Sequence, residues 1–328
     1  MKRIAIIGAG GMARVRARAL LSTGQVEISA VAARHQATAD KFGAEIGCSA
    51  CYDDYHQVLD SRPDAILVEV PHEAQDGIVL WALTQRLNVL IGGSLATNLP
   101  AARKIVQLTA DNHLVVEAGY EARYSPIWEH AREMIFHGTL GRLVTVRSLA
   151  LWAGDPRSWY YSQQASGGMP ITHMTYCFIN PVRWIVGEAV SVAAFANRIA
   201  NTAPGLIDEE NCVANMLFDQ DVICNMTAGF VAPGGLPAWS TTFIGTRGAV
   251  EVRPDEGGGG TLVVYGGSAP ELCEFRSGPN AFDVQAKAYV TALNGDNQCR
   301  NAPGATIGDV CIAEAIVLSA REKRTVTL

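Results

Sequence analysis

Charge is scarce in this sequence, and its basic residues form no long run. Only 18% of the 328 residues are charged, and the formal net charge is -6 at pH 7. Binding to nucleic acid depends on clustered lysine and arginine, so we expect no nucleic-acid partner. Hydrophobic residues make up 48% of the chain, as is ordinary for a soluble globular protein. The length exceeds one typical core and suggests two domains.

Long apolar segments are also lacking. The apolar run at residues 4–7 ends at a glycine and is too short for the core of a signal peptide. Elsewhere we find no stretch of the length that a membrane-spanning helix needs. We therefore expect a cytoplasmic protein with no membrane partner.

The cysteines do not have the spacing of a disulfide framework. There are eight of them, scattered along the chain, and a protein of this size needs no covalent cross-links. Cys48 and Cys51 form one C-x-x-C pair, but a structural zinc site needs a second ligand pair, which we do not find. We expect a loop with two reduced thiols, and no bound metal.

A glycine-rich turn follows the first apolar run, and a helical pattern begins at Arg14. The turn has the form G-x-G-x-x-A. In a dinucleotide site the first glycine permits the tight turn, the second lets backbone approach a pyrophosphate, and the small last residue lets helix and strand pack closely. The helix N-terminus then offers N–H groups and its dipole to the phosphates. A plain strand-to-helix turn is the alternative. The predicted cofactor residues of this turn are Gly8, Gly10, Gly11, Met12 and Ala13.

The end of the second predicted strand bears on the choice of cofactor. An NAD site usually has an acidic residue there to bind the ribose hydroxyls, whereas this sequence has Ala33 followed by Arg34. A missing carboxylate and a nearby guanidinium favour the additional phosphate of NADP. We predict NADP, with Ala33 and Arg34 as contacts. NAD with a solvated Arg34 is the alternative.

Strands and helices alternate along the first part of the chain, which predicts an α/β doubly wound parallel sheet, a Rossmann dinucleotide-binding domain, over residues 1–118. Ligands bind at the carboxyl ends of such strands. Glu69, near the end of an apolar strand, either lines the mouth of that site or is a rim charge in water. The residues that we expect to line the cofactor site at these strand ends are Val70, Pro71, His72, Gly92 and Gly93.

The second half of the chain has a different pattern. A helical segment, a strand and an aromatic-rich loop lead to a helical run that ends near Gly187. Short strand-like segments follow without crossover helices, separated in part by turns at Gly234, Gly235 and residues 257–260, which predicts an antiparallel sheet. We predict an α+β substrate-binding and oligomerisation domain over residues 119–328. We leave open whether its C-terminal helices pack back on the first domain.

Several segments together resemble the Gfo/Idh/MocA family, the relatives of glucose-fructose oxidoreductase and inositol dehydrogenase. Beyond the N-terminal turn they are residues 119–126, 138–141, 167–169 leading into Arg183 and Trp184, and 245–249. The resemblance spans nearly the whole chain. It implies a C-terminal domain whose large, open, mostly antiparallel sheet often forms dimer or tetramer interfaces, and therefore a homodimer or homotetramer. It also implies a hydride-transfer site between the domains for sugars, polyols and similar alcohols.

This sequence departs from the family where the chemistry is usually done. The family's Glu-Lys-Pro signature, whose lysine binds the reacting oxygen and assists proton transfer, falls on Gly92, Gly93 and Ser94. A second signature has an aspartate and, four residues later, a histidine on one helix face; it falls on His173 and Cys177. The family's usual acid–base set is therefore largely absent.

Other side chains are candidates for the missing roles. His173 is of a residue type suited to proton transfer near neutral pH, and the resemblance directs its helix face at the nicotinamide. We predict it as the catalytic residue, with a hydrogen-bonded structural histidine as the alternative. Tyr176 and Tyr120 are candidate hydroxyl donors, with core packing equally open. The predicted wall for a polyhydroxylated or ring-shaped substrate, against the alternative of packing, consists of Arg123, Trp152, Trp159, Tyr160 and Cys177.

Three functions are compatible with these features. The first is an NAD(P)-dependent oxidoreductase that transfers a hydride between nicotinamide and an alcohol or carbonyl of a sugar-like, polyol or cyclic substrate. The second is a redox-assisted lyase or glycosidase that retains its NAD. The third is a non-catalytic regulatory protein that binds cofactor or ligand. We favour the first, because a cofactor and good positioning support turnover even without the full acid–base set.

Overall fold

The computed structural model of the chain describes residues 1–232, 236, 239–255, 259–275, 280–296 and 299–328. The chain divides into two compact units. Unit 1 contains residues 1–120 and 282–307, and unit 2 contains residues 121–281 and 308–328. Gly234, Gly235, Gly257 and Gly258, which we predicted to lie in turns between strands, are outside the described residues.

Unit 1 is built on a sheet of six parallel strands in the spatial order β3-β2-β1-β4-β5-β6. Helices cross over between these strands, and the order reverses at β1, which pairs with both β2 and β4. This arrangement confirms the predicted doubly wound α/β fold. In chain order the elements are β1 (Lys2–Ile7), α1 (Gly11–Ser22), β2 (Val26–Ala32), α2 (Gln36–Ile46), β3 (Cys51–Tyr52), β4 (Ala65–Val68), α3 (His72–Thr84), β5 (Asn88–Ile91), α4 (Leu99–Asp111) and β6 (Val116–Glu117).

Burial explains why these segments are apolar throughout. Ile4 and Ile6 on β1 and Leu67 on β4 are fully buried, as expected for a parallel sheet covered by helices on both faces. Small residues let α1 approach the sheet, since Ala13 and Ala17 are also fully buried in the core of this unit. The core positions the carboxyl ends of β1 and β4 side by side.

Unit 2 contains a sheet of nine strands in the order β14-β13-β12-β11-β7-β10-β9-β8-β15. Its elements are α5 (Pro126–Phe136), β7 (Leu143–Leu151), α6 (Gln163–Ser166), a π-helical segment (Pro170–Ile179), α7 (Asn180–Val186), β8 (Ala189–Asn197), β9 (Asn211–Phe218), β10 (Ile223–Gly229), β11 (Trp239–Gly245), β12 (Ala249–Pro254), β13 (Gly260–Tyr265) and β14 (Glu271–Phe275). α8 (Ala281–Leu293) belongs to unit 1 apart from its first residue, α9 (Pro303–Glu322) has its first five residues in unit 1 and the rest in unit 2, and β15 (Val326–Thr327) belongs to unit 2.

The sheet of unit 2 is mostly antiparallel, which confirms the fold that the resemblance implies. One pair in it is parallel: β10 runs parallel to β7, with Gly229 opposite Leu151. Along the chain, β7 and β10 are separated by helices and by two other strands. Sequence order therefore does not define their pairing.

Among the described helices, α9 is long and apolar enough to cross a membrane by length and composition, contrary to our expectation that no stretch is long enough. Half of its apolar window is buried inside the protein. Ile312, Ala313 and Ile316 of this helix belong to the hydrophobic core of unit 2. Asp309 is fully buried and forms an ion pair with Arg183 at 3.0 Å. These are the features of a core helix in a folded protein.

Candidate functional site

The glycine turn after β1 has a conformation that requires its first glycine. Gly8 has a φ of +114°, and a Cβ there would lie 1.8 Å from the carbonyl oxygen of Glu69. Positive φ disfavours other residues, and the close approach of backbone leaves no space for a side chain. The turn therefore has the tight geometry predicted from the sequence.

The turn opens onto the N-terminus of α1. Gly10 is the N-cap residue in extended conformation, and no side chain caps the helix. Apart from its chain neighbours and the backbone of its own helix, no described atom lies within 4 Å of where a Cβ on Gly10 or Gly11 would be. The start of the helix is therefore exposed at Gly10 and Gly11, next to half-buried Met12, and has no side-chain cap on its N–H groups. These residues fit the pyrophosphate of a dinucleotide.

Arg34 follows β2 and projects into solvent. Its side chain is 76% exposed, and its Nη2 lies 3.6 Å from Oε1 of Glu73, in the first turn of α3. Ala33 is half-buried, and exposed His35 is the N-cap residue of α2. The sequence from Ala33 to His35 contains no carboxylate, so no acidic residue within this segment neutralises the charge of Arg34.

The remaining predicted cofactor residues lie at the carboxyl ends of β4 and β5. Val70 and Pro71 are half-buried, and His72, the first residue of α3, is 6% exposed. Gly92 and Gly93 follow β5 and are half-buried. Their contact with a cofactor stays a prediction.

Glu69 is not a rim charge in water. Its side chain is 11% exposed, and its Oε1 accepts a hydrogen bond of 2.6 Å from Nε of Arg16. The structure thus excludes the solvated alternative, because this carboxylate forms a largely buried ion pair at the edge of the sheet where ligands bind.

In unit 2, aromatic rings surround His173, which lies on the π-helical segment. The centroid of its ring is 4.7 Å from the ring of Trp152 and 4.7 Å from that of Tyr160. Trp159 extends the cluster, since its ring lies 4.0 Å from that of Tyr160. The structure therefore brings together four residues that the sequence assigned to catalysis and substrate binding.

Phe230 also belongs to this aromatic cluster, although the sequence did not identify it. Its ring is 5.0 Å from that of His173, in an edge-on arrangement, and 6.0 Å from that of Trp152. Trp152 follows β7 and Phe230 follows β10, and these strands are parallel neighbours whose ends coincide. The parallel pairing explains the contact, which the order of the strands along the chain does not indicate.

The other predicted residues of unit 2 lie in more enclosed surroundings. Cys177 is 4% exposed, and burial raises the pKa of its thiol well above the ordinary value, so the thiol stays neutral. Arg123 is 4% exposed and donates a hydrogen bond of 3.3 Å to the carbonyl oxygen of Asn180, whose amide donates to buried Asp309 at 2.7 Å. Tyr176 is half-buried on the π-helical segment. Burial favours packing for Cys177 and a positioning role for Arg123.

Tyr120, the third predicted catalytic residue, belongs to unit 1. It is fully buried, and its hydroxyl oxygen accepts a hydrogen bond of 3.2 Å from the backbone N–H of Leu95. Its carbonyl oxygen accepts another from the amide of Asn301 at 2.6 Å. These contacts within the unit favour the packing alternative for Tyr120.

The first unit, with its doubly wound sheet and open glycine turn, defines a dinucleotide-binding protein of the Rossmann class. Comparison with known families identifies it further. Residues 2–120 match the oxidoreductase family with an NAD-binding Rossmann fold, and residues 128–251 match the GFO/IDH/MocA C-terminal domain. The chain belongs to the GFO/IDH/MocA family of NAD-binding oxidoreductases.

Similar proteins include dehydrogenases. The chain is 25% identical over 329 residues to the rhizopine catabolism protein MocA of Rhizobium meliloti, covering 98% of this chain and 94% of the relative. It is 24% identical over 336 residues to an inositol 2-dehydrogenase of Rubrobacter xylanophilus, covering 94% and 90%. The structure of levoglucosan dehydrogenase in complex with NADH superposes with a TM-score of 0.89 over 99% of this chain and 98% of that one. At 16% identity this likeness shows the fold alone.

Proposed function

We propose that this protein is an NADP-dependent oxidoreductase that oxidises an alcohol, or reduces the corresponding carbonyl, on a ring-shaped polyhydroxylated substrate. The observation that carries the proposal is the uncapped N-terminus of α1 after the Gly8 turn, where Gly10 and Gly11 are exposed and no side chain caps the helix. A helix start of this kind binds phosphate groups. Family membership supports the redox reaction.

The cofactor would be held by two parts of unit 1. The backbone of residues 10–13 would bind the pyrophosphate, and the exposed guanidinium of Arg34 would pair with the additional phosphate of NADP. NAD is the alternative, since relatives of known structure bind it. When bound, the nicotinamide supplies the hydride acceptor or donor of the reaction.

The substrate would stack on the aromatic cluster of unit 2. Trp152, Tyr160 and Phe230 present ring faces and edges around His173 within 5.0 Å of its centroid. Such rings bind the apolar faces of sugar-like rings while polar groups bind the hydroxyls. Relatives named for inositol and levoglucosan support a cyclic, polyhydroxylated substrate.

His173 would take the proton of the substrate hydroxyl during oxidation and return it during reduction. Histidine changes its protonation state near neutral pH, and proton transfer of this kind contributes roughly 10² to 10⁴ in rate. The aromatic rings fix the orientation of the imidazole. Because Cys177 stays protonated through burial, it does not provide a second base.

A substrate panel tests this function. Cyclic polyols and aldoses are mixed with the protein and NADP or NAD, and absorbance at the nicotinamide band is followed for the wild type and for His173→Gln. We expect reduction of the cofactor by the wild type and about a 100-fold lower kcat for the variant. Product formed without a change in absorbance would instead indicate the redox-assisted lyase. Cofactor binding without any turnover would indicate a regulatory protein.

We also propose that a second copy of this chain covers the outer face of the unit 2 sheet. Phe195, Val213, Leu217 and Ile223 are exposed on β8, β9 and β10, at paired positions that share one face. The polar pair on this face, Asn215 and Asn225, is uncharged and hydrogen-bonded at 2.8 Å. Two copies meeting at β8–β10 would therefore bury apolar side chains, with exposed Arg147 of β7, which lies opposite Asn225, at the border of the patch.

The mass in solution tests this interface. We expect a dimer or tetramer for the wild type by light scattering and a smaller species for Ile223→Glu, whose side chain is 57% exposed. Phe136→Glu, at an exposed position on α5, is the control and should not change the mass. A monomeric wild type would contradict the interface.

A further inference from the structure

Two consecutive residues after β5, Gly92 and Gly93, have no side chains, and groups from the segment after β4 lie in the space beside them. A Cβ on Gly92 would lie 2.1 Å from the carboxyl carbon of Glu69 and 2.3 Å from its Oε1. A Cβ on Gly93 would lie 3.4 Å from Nε2 of His72. Glu69 thus fills the position of a side chain at residue 92, and Nε2 of His72 would be in van der Waals contact with the Cβ of one at residue 93.

Arg16 holds the Glu69 carboxylate in this position. The two side chains are 3% and 11% exposed, and Nε of Arg16 lies 2.6 Å from Oε1 of Glu69. Nη2 of Arg16 also donates a hydrogen bond of 2.6 Å to the carbonyl oxygen of Gly119. A Cβ on Gly119 would lie only 2.8 Å from this Nη2. The guanidinium therefore joins the segments that follow β4 and β6. Residue 119 must be glycine because a side chain there would clash with this guanidinium.

The loop after β5 is also tied to α3. Nε2 of Gln75 donates a hydrogen bond of 2.7 Å to the carbonyl oxygen of Ser94, and Gln75 is 2% exposed. His72 lies one helical turn before Gln75 and is itself buried. These contacts hold the first turn of α3, and with it the imidazole of His72, beside the Gly92–Gly93 backbone.

We propose that residues 69–72, after β4, supply both groups that the loop after β5 lacks. Glu69 is a positioning residue: its pair with Arg16 fixes the backbone of Gly92 and Gly93. His72 is a catalytic residue: its Nε2–H donates a hydrogen bond to the reacting oxygen of a polyol or its carbonyl product and stabilises the negative charge that develops there. The role of His72 rests on the proposed oxidoreductase function, whereas the role of Glu69 is testable without turnover.

The first experiment transfers the carboxylate from residue 69 to residue 92 and is done on the cofactor-free protein. Glu69→Ala removes the carboxylate that lies 2.6 Å from buried Arg16, and we expect the melting temperature to fall by about 6 to 20 °C. Adding Gly92→Asp should restore most of the loss, because a Cβ at residue 92 already lies beside the site of the carboxyl group. Adding Gly92→Ala is the matched control and should restore nothing. Should Glu69→Ala not fold, recovery of folded protein by Gly92→Asp alone is the readout.

The outcomes decide the role of Glu69. Equal melting temperatures for the Asp and Ala versions would overturn the exchange of positions. In the active protein, a merely structural pair would leave kcat per folded molecule unchanged. We expect Glu69→Gln to lower kcat at an unchanged dissociation constant for NADPH, and the Gly92→Asp exchange to recover it.

The second experiment tests His72 by kcat together with cofactor affinity. We expect His72→Ala to lower kcat about 100- to 1,000-fold while the dissociation constant for NADPH, measured by its fluorescence, stays within about twofold. His72→Gln keeps an N–H donor and should stay within about tenfold of the wild type, and Gly93→Lys added to His72→Ala should recover at least about tenfold. His137→Ala, at an exposed position, is the control.

These results separate the inference from the function on which it rests. An unchanged kcat for His72→Ala with weaker NADPH binding would make His72 a cofactor contact and overturn its catalytic role while the function stands. A wild type that binds NADPH but reduces no substrate would refute both the function and the role of His72. The melting-temperature experiment would still test the positioning role of Glu69, because it needs no turnover.

Discussion

Replacing Arg34 with alanine should change the choice of cofactor more than any other single substitution at the rim of unit 1. The Arg34 side chain is 76% exposed, and its nearest ionic partner is Glu73 at 3.6 Å. An exposed ion pair of this kind contributes only about 0.2 to 1 kcal/mol, so the guanidinium can exchange Glu73 for a phosphate at small cost.

The size of the effect follows from that exchange. Hydrogen bonds to charged groups contribute about 1.5 to 3 kcal/mol, and each 1.4 kcal/mol is tenfold in affinity. We therefore expect Arg34→Ala to weaken NADPH binding about 10- to 150-fold and to leave NADH binding within about threefold. Glu73→Gln removes the competing carboxylate and should tighten NADPH binding about 1.4- to 5-fold.

Fluorescence titration with each reduced cofactor measures both dissociation constants on one protein sample. Arg103→Ala, at an exposed position on α4, is the matched control and should change neither constant. The reasoning would be refuted if the wild type bound NADH more tightly than NADPH. Equal losses for both cofactors in Arg34→Ala would refute it as well, because the guanidinium would then not act on the additional phosphate.

Three further substitutions or treatments test other parts of the structure. Gly8→Ala should lower the free energy of unfolding of unit 1 by about 2 to 4 kcal/mol in a denaturant titration, because it combines positive φ with a clash against Glu69. Burial raises the pKa of Glu209, and its Oε2 has no hydrogen-bond partner among the described residues. A raised folded pKa removes stability as pH rises through it, so Glu209→Gln should stabilise the protein at pH 8, with a gain that shrinks toward pH 4 in thermal melts. Burial raises the pKa of Cys212 to about 12, so a thiol reagent at pH 8 should label it only after unfolding.

Local patterns predicted the fold well where they are strong. Strands at residues 88–91 and 239–245 have the bounds expected from their sequence, since apolar or alternating runs between turns define a strand without other information. The sequence did not identify β13 and β14. β13 begins at Gly260, which the sequence assigned to a turn, and β14 is an edge strand with mostly exposed residues. The helical run predicted to end near Gly187 is present as the π-helical segment followed by α7, but its sequence did not indicate that the first part is a π-helix.

In the candidate site, too, local features could be predicted from the sequence and long-range contacts could not. The glycine turn could be predicted because its geometry is local to six residues. The Arg16–Glu69 pair joins residues 53 positions apart, and nothing in either segment indicates the other. Gly92 illustrates this: it has no side chain, and only the structure shows that the Glu69 carboxyl group fills the space beside it.

The transfer of a labelled hydride tests the central claim most directly. The protein is incubated with NADP and cyclic polyols deuterated at their ring carbons, and the cofactor is analysed by mass spectrometry. We predict deuterium on the reduced nicotinamide, in one-to-one proportion to the carbonyl product. Product without deuterium on the cofactor, or bound cofactor that never gains the label from any polyol, would contradict the assignment of this protein as a hydride-transferring oxidoreductase.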